Sequence, residues 1–315
     1  MPDLLIAIIL GIVEGITEFL PVSSTGHLLL CERWMGIDLD APESMWKTFA
    51  IFIQIGAIIA VIVYFRRRIL DLLMGKVEGA RTPREISQAA KTTTDKPVQA
   101  ALSMGQTLDY ATALDEDLIT PAQRMNAILM IILATIPVLV VGLLVHKWVE
   151  AHMENARVIG LALLIGGVVM VIIELLPTNV TTRRIERVTW KQALGIGFAQ
   201  ILAAVFPGTS RSAATIMGGM LAGLSRPAAA EFSFFLAIPA MFAACGFSLL
   251  KWIRHAHPHA HDILLMIIGT LVSFLVAYAV IAVFMNYIRR HNFIPFAVYR
   301  IALGILVLVV ARGGG

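Results

Sequence analysis

The chain has 315 residues, of which 58% are hydrophobic and only 15% charged, with a mean hydropathy of +0.82 and a net charge of +4. Soluble domains carry roughly 25% charged residues, so this composition excludes a water-soluble globular fold and describes an integral membrane protein. No basic stripe with interleaved aromatics accompanies the positive charge, which argues against a nucleic-acid binder. The two cysteines, Cys31 and Cys245, sit in separate apolar segments and argue against a disulfide framework.

The N-terminal segment Leu4–Leu20 is apolar and reads as part of the mature fold rather than as a signal peptide. It lacks a positive n-region, Asp3 is its only early charge, and Glu14 and Glu18 interrupt the would-be apolar core. It runs into Pro21, then a hydroxyl-rich turn of Ser23, Ser24 and Thr25, then His27. Proline ends or kinks a helix, so neither half is long enough to cross a bilayer, which takes about 20 apolar residues. The region 1–45 is therefore expected to be a re-entrant hairpin that returns to the side it entered from. Such backbone is allowed at depth only where protein or water lines it.

Six segments qualify as full spans: approximately Phe49–Phe65, Ala127–Val145, Val158–Leu176, Phe232–Trp252, Ile263–Tyr287 and Phe293–Val310. The segment 66–124 reads as a cytoplasmic loop. It is polar and punctuated, with Thr92–Pro97 and the acidic patch Asp115–Asp117, has room for one amphipathic helix, and shows no chemistry. After three spans comes Trp190–Phe206, again broken by a proline, Pro207, and followed by Gly208, Thr209, Ser210, Arg211 and Ser212. The region 190–228 is read as a second re-entrant hairpin. Three spans between the hairpins place their entries on opposite faces, an inverted-topology repeat whose turns meet near the midplane. The segments after each hairpin, Thr48–Ile53 and Glu231–Leu236, support the repeat weakly.

The expected fold is thus an all-α polytopic membrane protein. One integral-membrane domain covers 1–315, with about six transmembrane helices and two re-entrant hairpins. Lys and Arg cluster on the face that holds Arg66–Arg68, the long loop, Arg183–Lys191, Arg226, Arg289 and Arg290. The positive-inside rule makes that face cytoplasmic. The first hairpin then opens outward.

Ionisable groups at membrane depth mark functional sites. Glu14 and Glu18 are four apart and share one helix face; together they can bind a divalent cation or divide acid and base roles. Ser23, Ser24 and Thr25 can cap a helix and cradle an anion at its N-terminus. His27, beside them, fits acid, base or nucleophile chemistry. Aligning Pro21 with Pro207 sets Gln200 opposite Glu14, Ala204 opposite Glu18 and Arg211 opposite Thr25. The second hairpin has no acids and has gained a guanidinium, which grips phosphate with a planar fork; a structural Arg211–Glu pair is the competing reading. The histidines of His255–His261 could bind a metal, but the loop faces outward, away from the turns. Glu174 and Glu231 read as interface anchors or caps.

Glu14–His27 and Pro207–Ser212 resemble the two signature motifs of the bacterial undecaprenyl-diphosphate phosphatases of the bacitracin-resistance type. Glu231–Phe234 and Phe293–Arg300 are similar to further family sequence. The resemblance covers nearly the whole chain; the long Lys76–Arg124 loop is its main departure. It implies hydrolysis of undecaprenyl diphosphate to the monophosphate at the outer side of the bacterial inner membrane, recycling the carrier lipid for cell-wall synthesis and giving bacitracin resistance. It also implies a metal-assisted site, with Mg²⁺ or Ca²⁺ at Glu14 and Glu18 and catalytic roles for Glu14, Glu18, Ser24 and His27. The phosphates would be bound by Ser23, Thr25, Thr209, Ser210, Arg211 and Ser212. Two mechanisms stay open, attack by Ser24 with His27 as base and direct attack by water that Glu18 positions. A homodimer is allowed, membrane lipid is the surroundings, and no nucleic-acid partner is expected. The rival is a polyprenyl-phosphate flippase or other secondary transporter built on the same inverted repeat.

Overall fold

The computed structural model describes residues 1–37, 45–74, 120–152, 155–177, 179–255 and 259–313. Among them are eleven α-helices, and the only β pairing is an isolated bridge between Thr182 and Leu224. In chain order they are α1 (Asp3–Thr17), α2 (Ser24–Trp34), α3 (Met45–Tyr64), α4 (Arg66–Met74), α5 (Pro121–His152), α6 (Ala156–Leu175), α7 (Trp190–Val205), α8 (Arg211–Leu221), α9 (Arg226–His255), α10 (Ala260–Ile288) and α11 (Ile294–Gly313). Five helices, α5, α6, α9, α10 and α11, carry stretches long and apolar enough to cross a membrane, and a sixth span results if α3 and α4 are taken together across their 64° bend. All six segments expected to span are found as helices. The segment expected as a loop from residue 66 instead opens with the helix α4, and α5 already begins at Pro121; residues 75–119, with the Thr92–Pro97 and Asp115–Asp117 stretches, lie outside the described residues.

The short helices are the interrupted ones. At about 1.5 Å per residue, α1 with 15 residues and α8 with 11 fall short of the roughly 30 Å hydrocarbon core. The second pair is seen to return. The chain entering α7 is hydrogen-bonded to the chain leaving α8: Thr181 N and Thr182 N donate to the Gly223 carbonyl at 2.9 and 3.1 Å, and Ser225 N donates to the Thr182 carbonyl at 2.9 Å. Gln192 Nε2 adds a bond to the Ala222 carbonyl at 2.9 Å. The same Gln192 completes a capping box with Thr189, which satisfies donors at the start of α7.

Helix packing is reciprocal between the halves. α1 lies along α10, and a Cβ on Gly11 would stand 2.7 Å from the Gly269 carbonyl oxygen. α7 lies along α5, and a Cβ on Gly197 would stand 2.5 Å from the Ala134 carbonyl oxygen. α3 packs on α9, and α6 on α11. At one end, Arg68 bridges Glu186 at 2.5 Å and Glu231 at 2.9 Å, while Arg226 pairs with Glu174. Glu174 also accepts from Phe293 N at 3.4 Å. Glu174 and Glu231 are thus members of ion pairs that tie helix ends together, rather than simple anchors or caps. At α1's start, Asp3 meets His261 at 3.4 Å.

Candidate active site

Each hairpin turns on a serine with a left-handed backbone. Ser23 has φ 72° and precedes α2; Ser210 has φ 70° and precedes α8. This conformation is costly for a residue with a Cβ. Its appearance at both turns fixes their true equivalence. Ser23 matches Ser210, so Arg211 stands opposite Ser24 and Ser212 opposite Thr25. The proline-based register is therefore off by one at the turns, because Pro21 stands two residues before its serine and Pro207 three.

The two turns meet through polar side chains. Glu18, just past the end of α1, is 9% exposed. Its Oε2 accepts from Ser24 Oγ at 2.7 Å, and its Oε1 accepts from Arg211 Nη2 at 3.3 Å. Arg211 Nη1 donates to the Ser233 carbonyl at 3.1 Å, and the guanidinium carbon lies 5.7 Å over the Phe19 ring. Ser212 Oγ donates to the Leu20 carbonyl at 2.8 Å, tying the second turn to the first. Ser210 Oγ lies 3.0 Å from Ser212 Oγ and accepts from Ala213 N at 3.2 Å. Thr215 and Ser233, joined at 2.6 Å, hold the base of α8 against α9.

Glu14 lies one helical turn before Glu18 and is fully buried. Neither of its carboxylate oxygens has a hydrogen-bond partner among the described residues. A buried carboxylate without donors calls for a proton or a cation. Two carboxylates are the protein share that Mg²⁺ commonly takes when substrate phosphate and water complete its shell. Glu14 and Glu18 fit that requirement; among the described residues no group of three or more metal-ligating side chains exists. Of the outward histidines, His261 faces Asp3 and His259 sits at the start of α10, while His257 lies outside the described residues.

His27 does not engage Ser24. Its Nδ1 lies 2.7 Å from the Ser23 carbonyl, and its Nε2 lies 2.7 Å from Tyr299 Oη. A carbonyl can only accept, so Nδ1 carries a proton; in the neutral ring Nε2 then accepts from the tyrosine. The expected Ser24–His27 pairing is replaced by Ser24–Glu18. Ser23 Oγ is buried without a partner among the described residues, and Thr25 and Thr209 are half-buried at the turns.

Two residues that sequence reasoning did not assign complete the arrangement. Tyr299 holds His27. Arg300, fully buried on α11, donates to the Pro21 carbonyl at 3.5 Å in one turn and to the Gly208 and Thr209 carbonyls at 3.4 and 2.8 Å in the other. The signal was an arginine inside an apolar run.

This is an all-helical membrane protein with two facing polar turns, a serine hydrogen-bonded to a buried carboxylate and an arginine from the opposite turn paired with the same carboxylate. The chain belongs to the family described as bacitracin resistance protein BacA, whose model matches residues 7–306. Similar proteins include undecaprenyl-diphosphatases of Koribacter versatilis, 40% identical over 98% of both chains, and of Sorangium cellulosum, 41% identical over 96% of this chain and 84% of the other. Another from Thermoanaerobacter sp. is 39% identical over 98% of this chain and 97% of its own.

Proposed function

We propose that this protein hydrolyses undecaprenyl diphosphate to undecaprenyl phosphate and inorganic phosphate, which recycles the carrier lipid for cell-wall synthesis and confers bacitracin resistance. The observation that carries this reading is Ser24 donating to Glu18, which is in turn bound by Arg211 from the opposite turn. The relatives named above carry the same activity in their names; none of them is named as a transporter, so the flippase reading gains no support.

The chemistry follows from the donors and acceptors. Arg211, whose Nε has no partner among the described residues, binds the diphosphate with the serine-rich second turn. Ser24 Oγ attacks the terminal phosphorus while its proton passes to Glu18, and undecaprenyl phosphate leaves with the electrons of the broken P–O bond. Water then attacks the phosphoserine; as the P–Oγ bond breaks, Glu18 returns its proton to the serine oxygen, and the protons of the water leave on inorganic phosphate. Glu14 and Glu18 would hold a divalent cation, Mg²⁺ or Ca²⁺, which when bound would screen the charge of the phosphate oxygens. His27 holds the carbonyl of the strained Ser23 and so the entry to α2.

The site opens toward the outer face of the bacterial inner membrane. This orientation is supported by the basic end that carries Arg68, Arg226 and the entry to α7, and by Asp3 meeting the start of α10 at the other end. The reciprocal pairings of α1 with α10 and α7 with α5 support an inverted repeat. The test is phosphate release from undecaprenyl diphosphate by purified protein, with and without EDTA. Metal-dependent release is expected; no release from folded protein supplied with Mg²⁺ or Ca²⁺ would defeat the reading.

A further inference from the structure

Among the described residues, Arg300 is a buried cation without a counter-ion. Arg68, Arg211, Arg226 and His261 each meet a carboxylate, whereas no ion pair among the described residues includes Arg300. Its bonds go to main-chain carbonyls only: Pro21, Gly208, Thr209 and, at 3.4 Å, Ala162 of α6. Burying an unpaired charge is expensive and needs a return elsewhere. Carbonyl dipoles stabilise the guanidinium but leave its net charge in place, directly beneath both turns.

The geometry of the second turn says what that charge does. No peptide among the described residues is cis. In a trans peptide the C=O and N–H point in opposite directions. The Thr209 carbonyl is drawn to Arg300 at 2.8 Å, so the Ser210 N–H points away from the buried guanidinium, toward the side where Ser210 and Arg211 are half-buried. The N–H groups of Ser210, Arg211 and Ser212 meet no acceptor among the described residues. They are consecutive free donors at the entrance of α8, next to Arg211.

We propose that Arg300 is a positioning residue for phosphate capture: it holds the Thr209–Ser210 peptide with its N–H toward the diphosphate, and holds the Pro21 turn at a fixed distance opposite. This rests on the phosphate-transfer reading above. Gly166 belongs to the same device, because a Cβ there would run into Arg300 Nη2.

The experiment uses full-length protein in detergent and three variants, Arg300→Met, Arg300→Lys and Gly166→Ala. The last shifts the guanidinium without removing its charge, and so keeps the test alive should Arg300→Met fail to fold. Two readouts are compared: kcat and KM for undecaprenyl diphosphate, and orthovanadate affinity measured as protection against thermal unfolding. Orthovanadate imitates the in-line transition state and needs no turnover. The expected result is a kcat lower by about 100-fold in Arg300→Met with KM changed far less, matching the loss of an oriented N–H donor. Orthovanadate affinity should fall about 10-fold in the same variant, with smaller effects in Arg300→Lys and Gly166→Ala. Activity that falls only with the folded fraction, at unchanged orthovanadate affinity, would make Arg300 purely structural and overturn the proposal. Wild-type kinetics in all three variants would overturn it as well. An inactive wild type that orthovanadate protects, and Arg300→Met does not retain, would sink the reaction but leave the positioning role standing.

Discussion

The two turns share a backbone and differ in chemistry. Both pass from an apolar helix through a serine at positive φ into a second short helix. The first presents Ser24 with Glu14 and Glu18 behind it; the second presents Arg211, Ser210 and Ser212. One backbone solution thus mounts a serine against carboxylates in one turn and an arginine among hydroxyls in the other. The difference teaches that the site exists only where the copies face each other. Glu18 receives a proton donor from its own turn and a cation from the other, and Ser212 reaches across to Leu20.

The sharpest way to break this division of labour is at the nucleophile. Ser24→Ala is expected to lower kcat by about 10⁴-fold, the scale of removing a covalent nucleophile. Rapid acid quench of wild type during turnover should trap phosphate on Ser24. A Ser24→Ala variant with near-normal turnover would move the first turn from nucleophile to water positioning, with Glu18 as the base. Next in size is the grip. Arg211→Ala is expected to cost about 10³-fold in kcat/KM, and Arg211→Lys should recover little, since a point charge cannot reproduce the planar fork. If Arg211→Lys is fully active, the second turn supplies charge without geometry.

Much of this comparison can be read in the residues themselves, and the part that cannot has a physical reason. Proline after an apolar helix, followed by hydroxyls, announces each hairpin. Acids four apart announce one helix face, and a lone arginine at depth announces an anion. The register between the halves is hidden because the prolines stand at different distances from the serines that begin the second helices, two residues in the first turn and three in the second. The Ser24–Glu18 bond is hidden because it depends on how α2 leaves the turn, and His27 was the nearer candidate in sequence. Arg300 is hidden for a deeper reason. Its partners are main-chain carbonyls, which every residue has, so no side-chain pattern marks them. The Arg68 bridges to Glu186 and Glu231 join residues far apart in the chain, and only the packed helices bring them together.

The likeness of the halves can itself be tested through the glycines on which the first arms lean. Gly11→Ala and Gly197→Ala each place a methyl group against a backbone carbonyl of the other half. Each is expected to destabilise the protein by about 1–3 kcal/mol, the usual cost of overpacking, read from thermal unfolding in detergent. Comparable losses at the two positions would support equal packing roles. A loss at Gly11 alone would mean that the hairpin bearing the acids is the one held rigidly.

The smallest expected effect lies at Tyr299 and separates holding from chemistry. Tyr299 Oη gives His27 Nε2 its partner at 2.7 Å, and their rings are nearly parallel, 8° apart. Tyr299→Phe keeps the ring and removes one hydrogen bond, a change of about 0.5–1.5 kcal/mol, which corresponds to about a 3- to 10-fold fall in kcat if His27 acts by holding the Ser23 carbonyl. The bond from Nδ1 to Ser23 survives the substitution, so the turn should keep its shape and KM should change little. Were His27 instead the base for Ser24, freeing Nε2 from the tyrosine would release the imidazole for that task, and the variant would turn over faster than wild type. The sign of the change in kcat therefore decides whether the first turn works through Glu18 alone or through its histidine.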